Sequence, residues 1–313
     1  MKTRLLLLSL LAAVLLPCFD AAAQESVQFA SRDTCDLYMD IFRPSEGADL
    51  LFEGHAKPTV MFVFGGGFIM GERTNPFLCQ WFQRLCDNGY AVVTIDYRLG
   101  MKGYKMGRGL SGVLKASSQF YQSQQMGVED VFSAVAYLAS HDCGIDVSNL
   151  VLAGSSAGAI ISLAAEYEIA CGRGIGLPEG FNFRGLMSFA GGIISLSGAP
   201  RYPSAPCPTL LLHGTADHAV AYKKLGAFGR GIWGSAWLAD HYRDKGFPGW
   251  CIYRFDGRSH DVAAHMNFLW DIERTFLEQN VILSSGRTVD ALVSDPSLPT
   301  WYSEFNLDNI YHR

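Results

Sequence analysis

Leu150-Val151-Leu152-Ala153-Gly154-Ser155-Ser156-Ala157-Gly158-Ala159-Ile160-Ile161-Ser162-Leu163-Ala164-Ala165 is the stretch whose reading decides the fold. Its first four residues are apolar without alternation, the pattern of a strand buried on both faces. Its last seven are dominated by good helix formers. Between them stands G-x-S-x-G with Ser156 at the centre. Strand, tight turn, helix is the context in which that pattern carries chemistry. The central residue takes a strained backbone conformation and the chain crowds itself there, so a side chain at Gly154 or Gly158 would clash. Ser156 is thereby lifted clear of the sheet edge at a helix N-terminus, where backbone amides favour developing negative charge. It is the candidate nucleophile.

A neutral serine needs an adjacent base, and the base needs an orienting carboxylate. Pro208-Thr209-Leu210-Leu211-Leu212-His213 reads as a second buried strand, running into Gly214-Thr215-Ala216-Asp217-His218. Trp250-Cys251-Ile252-Tyr253-Arg254-Phe255 reads as a third, followed by Asp256-Gly257-Arg258-Ser259-His260-Asp261 and a helix from near Val262. Asp217 and His260 therefore fall on loops just past strand ends, and the order Ser156, Asp217, His260 suits such a sheet. His213, His218 and His265 are rival bases. His213 supports the turn, His218 points elsewhere, and His265 lies within the expected helix. Asp256 and Asp261 flank His260 and rival Asp217. Upstream, Thr59-Val60-Met61-Phe62-Val63-Phe64 is a fourth buried-strand pattern, and Gly65-Gly66-Gly67-Phe68 follows it. Three bare glycines at a strand end offer amides that no side chain blocks.

Together with Asp96-Tyr97-Arg98-Leu99, these segments resemble the α/β-hydrolase superfamily, and within it the carboxylesterase branch that includes hormone-sensitive-lipase-like and bacterial carbohydrate esterases. The resemblance spans roughly residues 60 to 265. It implies a mostly parallel central sheet of about eight strands with helices on both faces, and an esterase with Ser156, His260 and Asp217 as its triad. It further implies an oxyanion hole built from the amides of Gly66, Gly67 and Ala157, the choice among Gly65, Gly66 and Gly67 staying open. In this branch the oxyanion segment usually reads His-Gly-Gly-Gly. Here Phe64 stands at the His position, so packing must hold the loop. Asp96 and Arg98 are expected to brace loops beneath the site. The expected substrate is a small-molecule or carbohydrate ester, with acetyl and feruloyl esters of polysaccharides as examples. A serine peptidase of the same fold ranks behind, since the sequence shows no gating domain. A non-catalytic binding protein on the same fold ranks third.

The chain has 313 residues and a net charge of −5, with 25 Lys and Arg against 30 Asp and Glu and no long basic run. That excludes a nucleic-acid partner as the expectation. Lys2 and Arg4, the apolar run Leu5–Leu16 and the small residues Ala21-Ala22-Ala23 read as a signal peptide over 1–23, too short to span a bilayer. The protein is then exported, periplasmic or secreted, with no transmembrane segment after cleavage. Pro17 before Cys18 argues against a lipidation site. Of the eight cysteines, seven follow residue 23. Cys143 and Cys171 are the candidate pair, while Cys79 and Cys86 share a helix and stand too far apart. The Cys and His spacing suits no zinc site, and neither a metal nor a cofactor is expected.

Residues 24–58 read as an opening hairpin. Strands and helices then alternate to about 280, giving one catalytic domain over 24–283 and an extension over 284–313 packed on it. Gly100 to Gln125 is rich in Gly, Lys, Met, Gln and Ser and reads as a loop over the site rim. Glu129-Asp130 reads as the first turn of a helix, complementing its dipole. Gly226 to Ala236 reads as a pocket-shaping loop, with Phe228 and Trp233 expected to pack on the core.

Overall fold

The computed structural model describes residues 24–300; the expected signal peptide and residues 301–313 lie outside them. The chain opens with an antiparallel hairpin, β1 (Gln24–Arg32) and β2 (Cys35–Phe42). A small hairpin, β3 (Leu51–Phe52) and β4 (His55–Ala56), leads to β5 (Thr59–Val63). Then come α1 (Pro76–Asp87), β6 (Ala91–Ile95), α2 (Gly109–Ser140), β7 (Leu150–Ser155) and α3 (Ala157–Ala170). They are followed by β8 (Gly185–Phe189), β9 (Gly192–Ser195), β10 (Thr209–Gly214), β11 (Lys224–Ala227), β12 (Arg230–Gly234) and α4 (Ser235–Asp244). β13 (Trp250–Phe255), α5 (Trp270–Phe276) and β14 (Val289–Val293) complete the described chain.

Nine strands form the central sheet in the order β1-β2-β6-β5-β7-β8-β10-β13-β14. From β6 to β14 every pairing is parallel; β1 and β2 are antiparallel. Every residue of β5, β7, β8 and β10 is buried, so both faces are covered. Neighbouring residues of β7 show what covers them. Gly154 backs onto Ser162 of α3, while Ser155 turns the other way and bonds to Ala263 on the approach to α5. With α3 lies α2, and with α5 lies α1, whose Trp81 donates its indole N–H to Glu273. Among the described residues no helix is long and apolar enough to cross a membrane.

Three expectations need correction. Gly100 to Gln125 is not a rim loop: from Gly109 it is the first half of α2, a helix of 32 residues. That helix starts without a side-chain cap, and Gly109 and Gly112 lie in its first turn, so local signals speak against it. Tertiary bonds hold it. Gln124, fully buried, donates to Ile194 O and accepts from Ile194 N, and Gln119 donates to Gly100 O. Consequently Glu129 and Asp130 sit mid-helix. Asp130 is no dipole partner but a buried acceptor for Arg98 and Arg32.

Second, Gly226 to Ala236 is largely the β11–β12 hairpin, which pairs with β9 in a separate three-stranded sheet. Trp233 is buried in it, but Phe228 stands 96% exposed at its tip rather than packed on the core. Third, Cys143 and Cys171 are both free thiols, as are the other five cysteines among the described residues. The segment after residue 283 also contributes a strand to the main sheet, β14 alongside β13.

Candidate active site

β7 ends at Ser155 and α3 begins at Ala157, leaving Ser156 at the corner with φ 52° and ψ −117°. For a residue with a β-carbon this conformation costs on the order of 1–3 kcal/mol. Hydrogen bonds on both sides hold it. Ser156 N–H donates to Phe189 O at the end of β8, and Ser156 O accepts from Ile160 N, each at 2.9 Å. The neighbouring Ser155 hydroxyl donates to Ala263 O at 2.7 Å, tying the corner to the segment that carries His260.

The structure brings Ser156, His260 and Asp217 together from three strand ends. Ser156 Oγ lies 2.8 Å from His260 Nε2, and His260 Nδ1 lies 2.7 Å from Asp217 Oδ2. A carboxylate on Nδ1 fixes the hydrogen there and leaves Nε2 as the acceptor for a serine proton. Asp217 is itself fixed, since its Oδ1 accepts the Ala219 and Val220 amides at 2.9 Å. Burial pushes the Asp217 carboxyl up, but the hydrogen bonds from His213 and His260 outweigh it and hold the group well below the usual carboxylate range. The group is therefore an anion at any pH near neutrality. It can hold the imidazole in one tautomer and balance an imidazolium.

The rival residues are engaged elsewhere. His218 is exposed. His265 is buried just past a short 3-10 turn (His260–Ala264), not within a longer helix from Val262, and donates to Pro299 O at 2.9 Å. Asp261 pairs with Arg258, and Asp256 is exposed.

The glycine segment after β5 closes over the same corner. A β-carbon at Gly65 would stand 3.2 Å from the Ser156 β-carbon. At Gly66, φ is +123° and a β-carbon would stand 1.9 Å from Met70 O, so the turn admits only glycine. Gly66 O accepts from the Ile69 and Met70 amides, closing the loop that carries the candidate donors Gly66 and Gly67. The Ala157 amide is the first of α3 and has no intrahelical acceptor. Phe64 holds this loop by packing: it is buried, with its ring 4.5 Å from that of Tyr97. Phe68 packs against Tyr97 and Phe120 of α2. Arg73 anchors the loop's far end on Asp40 and Asp96, at 2.7 and 2.8 Å. Asp96 and Arg98 thus brace the loops, Arg98 through Asp130 and Glu129. Beside the corner, Phe64, Gly65, Phe77, Ser155, Ala263 and Met266 line a cavity of about 170 Å³.

Two features escape a linear reading. His213, assigned to turn support, also contacts Asp217, at 3.1 Å; the only signal is its place four residues before the acid. Arg258, two residues before His260, binds the distant segment 295–300. Its guanidinium donates to Asp295 O, Leu298 O, Pro299 O and Thr300 Oγ1, and pairs with Asp261.

Residues 18–165 match the model of the carboxylesterase family. Esterase 2 of the planctomycete Thermogutta terrifontis superposes with a TM-score of 0.56 at 18% identity, over 85% of this chain and 96% of that one. A puromycin-hydrolyzing peptidase of Mycobacterium tuberculosis superposes with a TM-score of 0.54 at 20% identity, over 89% of this chain and 41% of that one. Human dipeptidyl peptidase 8 is 27% identical over 227 residues, 66% of this chain and 24% of that protein. The chain spans about a quarter or less of the length of the curated relatives it matches. Sheet order, strand-to-helix corner and structural likeness together show the α/β-hydrolase fold, and the first half of the chain is similar to the carboxylesterase family.

Proposed function

We propose that the protein is an exported serine esterase acting on short-chain or carbohydrate-linked carboxylic esters. The observation that carries this reading is the hydrogen-bonded line from Ser156 through His260 to Asp217, 2.8 and 2.7 Å long, at a strained strand-to-helix corner. Ser156 attacks the ester carbonyl while His260 takes its proton. The oxyanion forms against the amides of Ala157, Gly66 and Gly67. His260 returns the proton to the leaving alcohol, and a water activated by His260 then releases the acid from the acyl-enzyme.

The compact spacing of the site segments leaves little room for a large cap, which supports a small substrate. Structures of the Thermogutta esterase with propionate and butyrate, and phosphorylated by paraoxon, support the same class. Export rests on the signal-peptide pattern of residues 1–23, and the carbohydrate alcohol on the resemblance. The peptidase relatives favour a second reading, amide hydrolysis at the same serine.

The test is hydrolysis of p-nitrophenyl acetate and butyrate by the protein from residue 24 onward, beside its Ser156→Ala variant. Turnover that disappears in the variant supports the esterase, and acetylated and feruloylated sugars against aminoacyl amides then separate the two readings. Equal turnover in both proteins would overturn Ser156 as the nucleophile.

A further inference from the structure

We propose that His213 is a positioning residue of this site, a second imidazole that donates to the carboxylate oxygen already serving His260. The proposal rests on the serine-hydrolase reading above.

Asp217 Oδ2 receives His260 Nδ1 at 2.7 Å and His213 Nε2 at 3.1 Å. Its other oxygen accepts two backbone amides. The carboxylate therefore has four donors and cannot rotate without losing some of them. The protonation of His213 follows from its neighbours. Nε2 faces Asp217 Oδ2 and Val220 O, both acceptors, each at 3.1 Å, so Nε2 must carry hydrogen. Nδ1 faces Ser235 Oγ at 2.8 Å, a hydroxyl that can donate to it. Ser235 Oγ also lies 3.3 Å from Gly191 O, so the hydroxyl can turn there if Nδ1 is protonated too. In both states His213 donates to the acid. The ring is fully buried, so water cannot replace that donor.

Two effects follow. The orientation of Oδ2 toward His260 is fixed from behind. The second donor also spreads the negative charge of Asp217, so the proton that arrives from Ser156 stays on His260. Several titratable and charged groups lie around His260. Ser156 and Asp217 touch it. His213 and Ser235 stand behind Asp217. The Tyr222 ring lies 5.6 Å from His213, its hydroxyl accepting from Arg254. On the His260 loop, Arg258, Asp261 and His265 are engaged with one another and with segment 295–300.

The experiment compares His213→Leu, which removes the donor, with His213→Gln, which returns one near the place of Nε2. Active sites are counted by p-nitrophenol release from paraoxon, and p-nitrophenyl acetate turnover per counted site is followed from about pH 5.5 to about pH 9. His213→Leu is expected to lose roughly 10- to 100-fold in kcat with KM little changed. With less compensation on Asp217, its acid limb in kcat/KM should move to higher pH. His213→Gln should recover most of the rate. Wild-type kcat per site and an unmoved limb in His213→Leu, with only a lower melting temperature, would overturn the proposal. Where the leucine variant does not fold, histidine 15N NMR of the wild type decides. Hydrogen on His213 Nε2 throughout the range is expected, and the Nδ1–H tautomer alone overturns the proposal. If the wild type neither turns over the ester nor reacts with paraoxon, the esterase reading has failed and this inference falls with it, whatever the tautomer.

Discussion

Gly158 sits directly beneath the carbonyl of Val63, so close that a β-carbon on it would stand 2.0 Å from Val63 O and 2.5 Å from Phe64 O. Both obstacles are backbone, and neither can swing aside. Gly158→Ala must push the start of α3 away from the end of β5, moving Ser156 relative to the glycine loop. We expect a loss of about 2 kcal/mol or more in stability together with a fall in esterase activity per folded molecule. Urea unfolding beside an activity assay checks both, and native stability in this variant would contradict the packing described.

Asp217→Asn keeps the size of the acid and removes its charge. The amide can present N–H to His260 Nδ1 and so select the wrong imidazole tautomer. A drop of roughly 10³- to 10⁴-fold in kcat is expected with KM little affected. A drop of less than tenfold would show that another carboxylate orients His260.

Glu273 is buried and forms no salt bridge among the described residues, and burial pushes its carboxyl up to about 8, against the smaller opposing effects of Trp81 and Arg84. Its folded-state pKa lies above the unfolded value of 4.5. The folded protein thus keeps a proton that the unfolded chain releases. This contribution to stability is fully present below about pH 4.5 and is lost as pH rises through about 8. Gln at this position can still accept from Trp81 without titrating. Glu273→Gln should match the wild type near pH 4.5 and exceed it by a few kcal/mol near pH 9. Denaturation at the two pH values decides it; parallel curves would mean that the carboxyl is ionised in the fold.

Arg258 gathers three backbone carbonyls and the Thr300 hydroxyl from segment 295–300, two residues before His260. Arg258→Ala should release that segment and loosen the histidine loop. The expected signs are faster amide exchange over 256–261 and 295–300, and a lower kcat. Unchanged exchange over 256–261 would show that the loop holds itself.

The gathering of Ser156, Asp217 and His260 is legible in the sequence because each follows a mainly apolar run, and the ends of parallel strands gather at one edge of a sheet. The opening hairpin is legible for a similar reason, since β2 alternates where it meets solvent. The first half of α2 is not. It lacks a cap, carries glycines at its start, and is held by bonds from Gln119 and Gln124 to partners up to 70 residues away. Asp130 is misread for the same reason. A carboxylate looks like a first-turn residue until Arg32 at the end of β1 and Arg98 just past β6 are seen to reach it. The free thiols of Cys143 and Cys171 and the exposure of Phe228 likewise depend on distances that spacing along the chain does not encode.

The grip of Arg258 on residues 295–300 also sets an order of events in synthesis. Ser156, Asp217 and His260 have all been made by residue 260, yet the residues that Arg258 grips arrive some 40 positions later. A chain that has not yet docked this segment can form its sheet while the His260 loop lacks these bonds. The line from Ser156 through His260 to Asp217 thus depends on contacts made far along the chain from any of its three members.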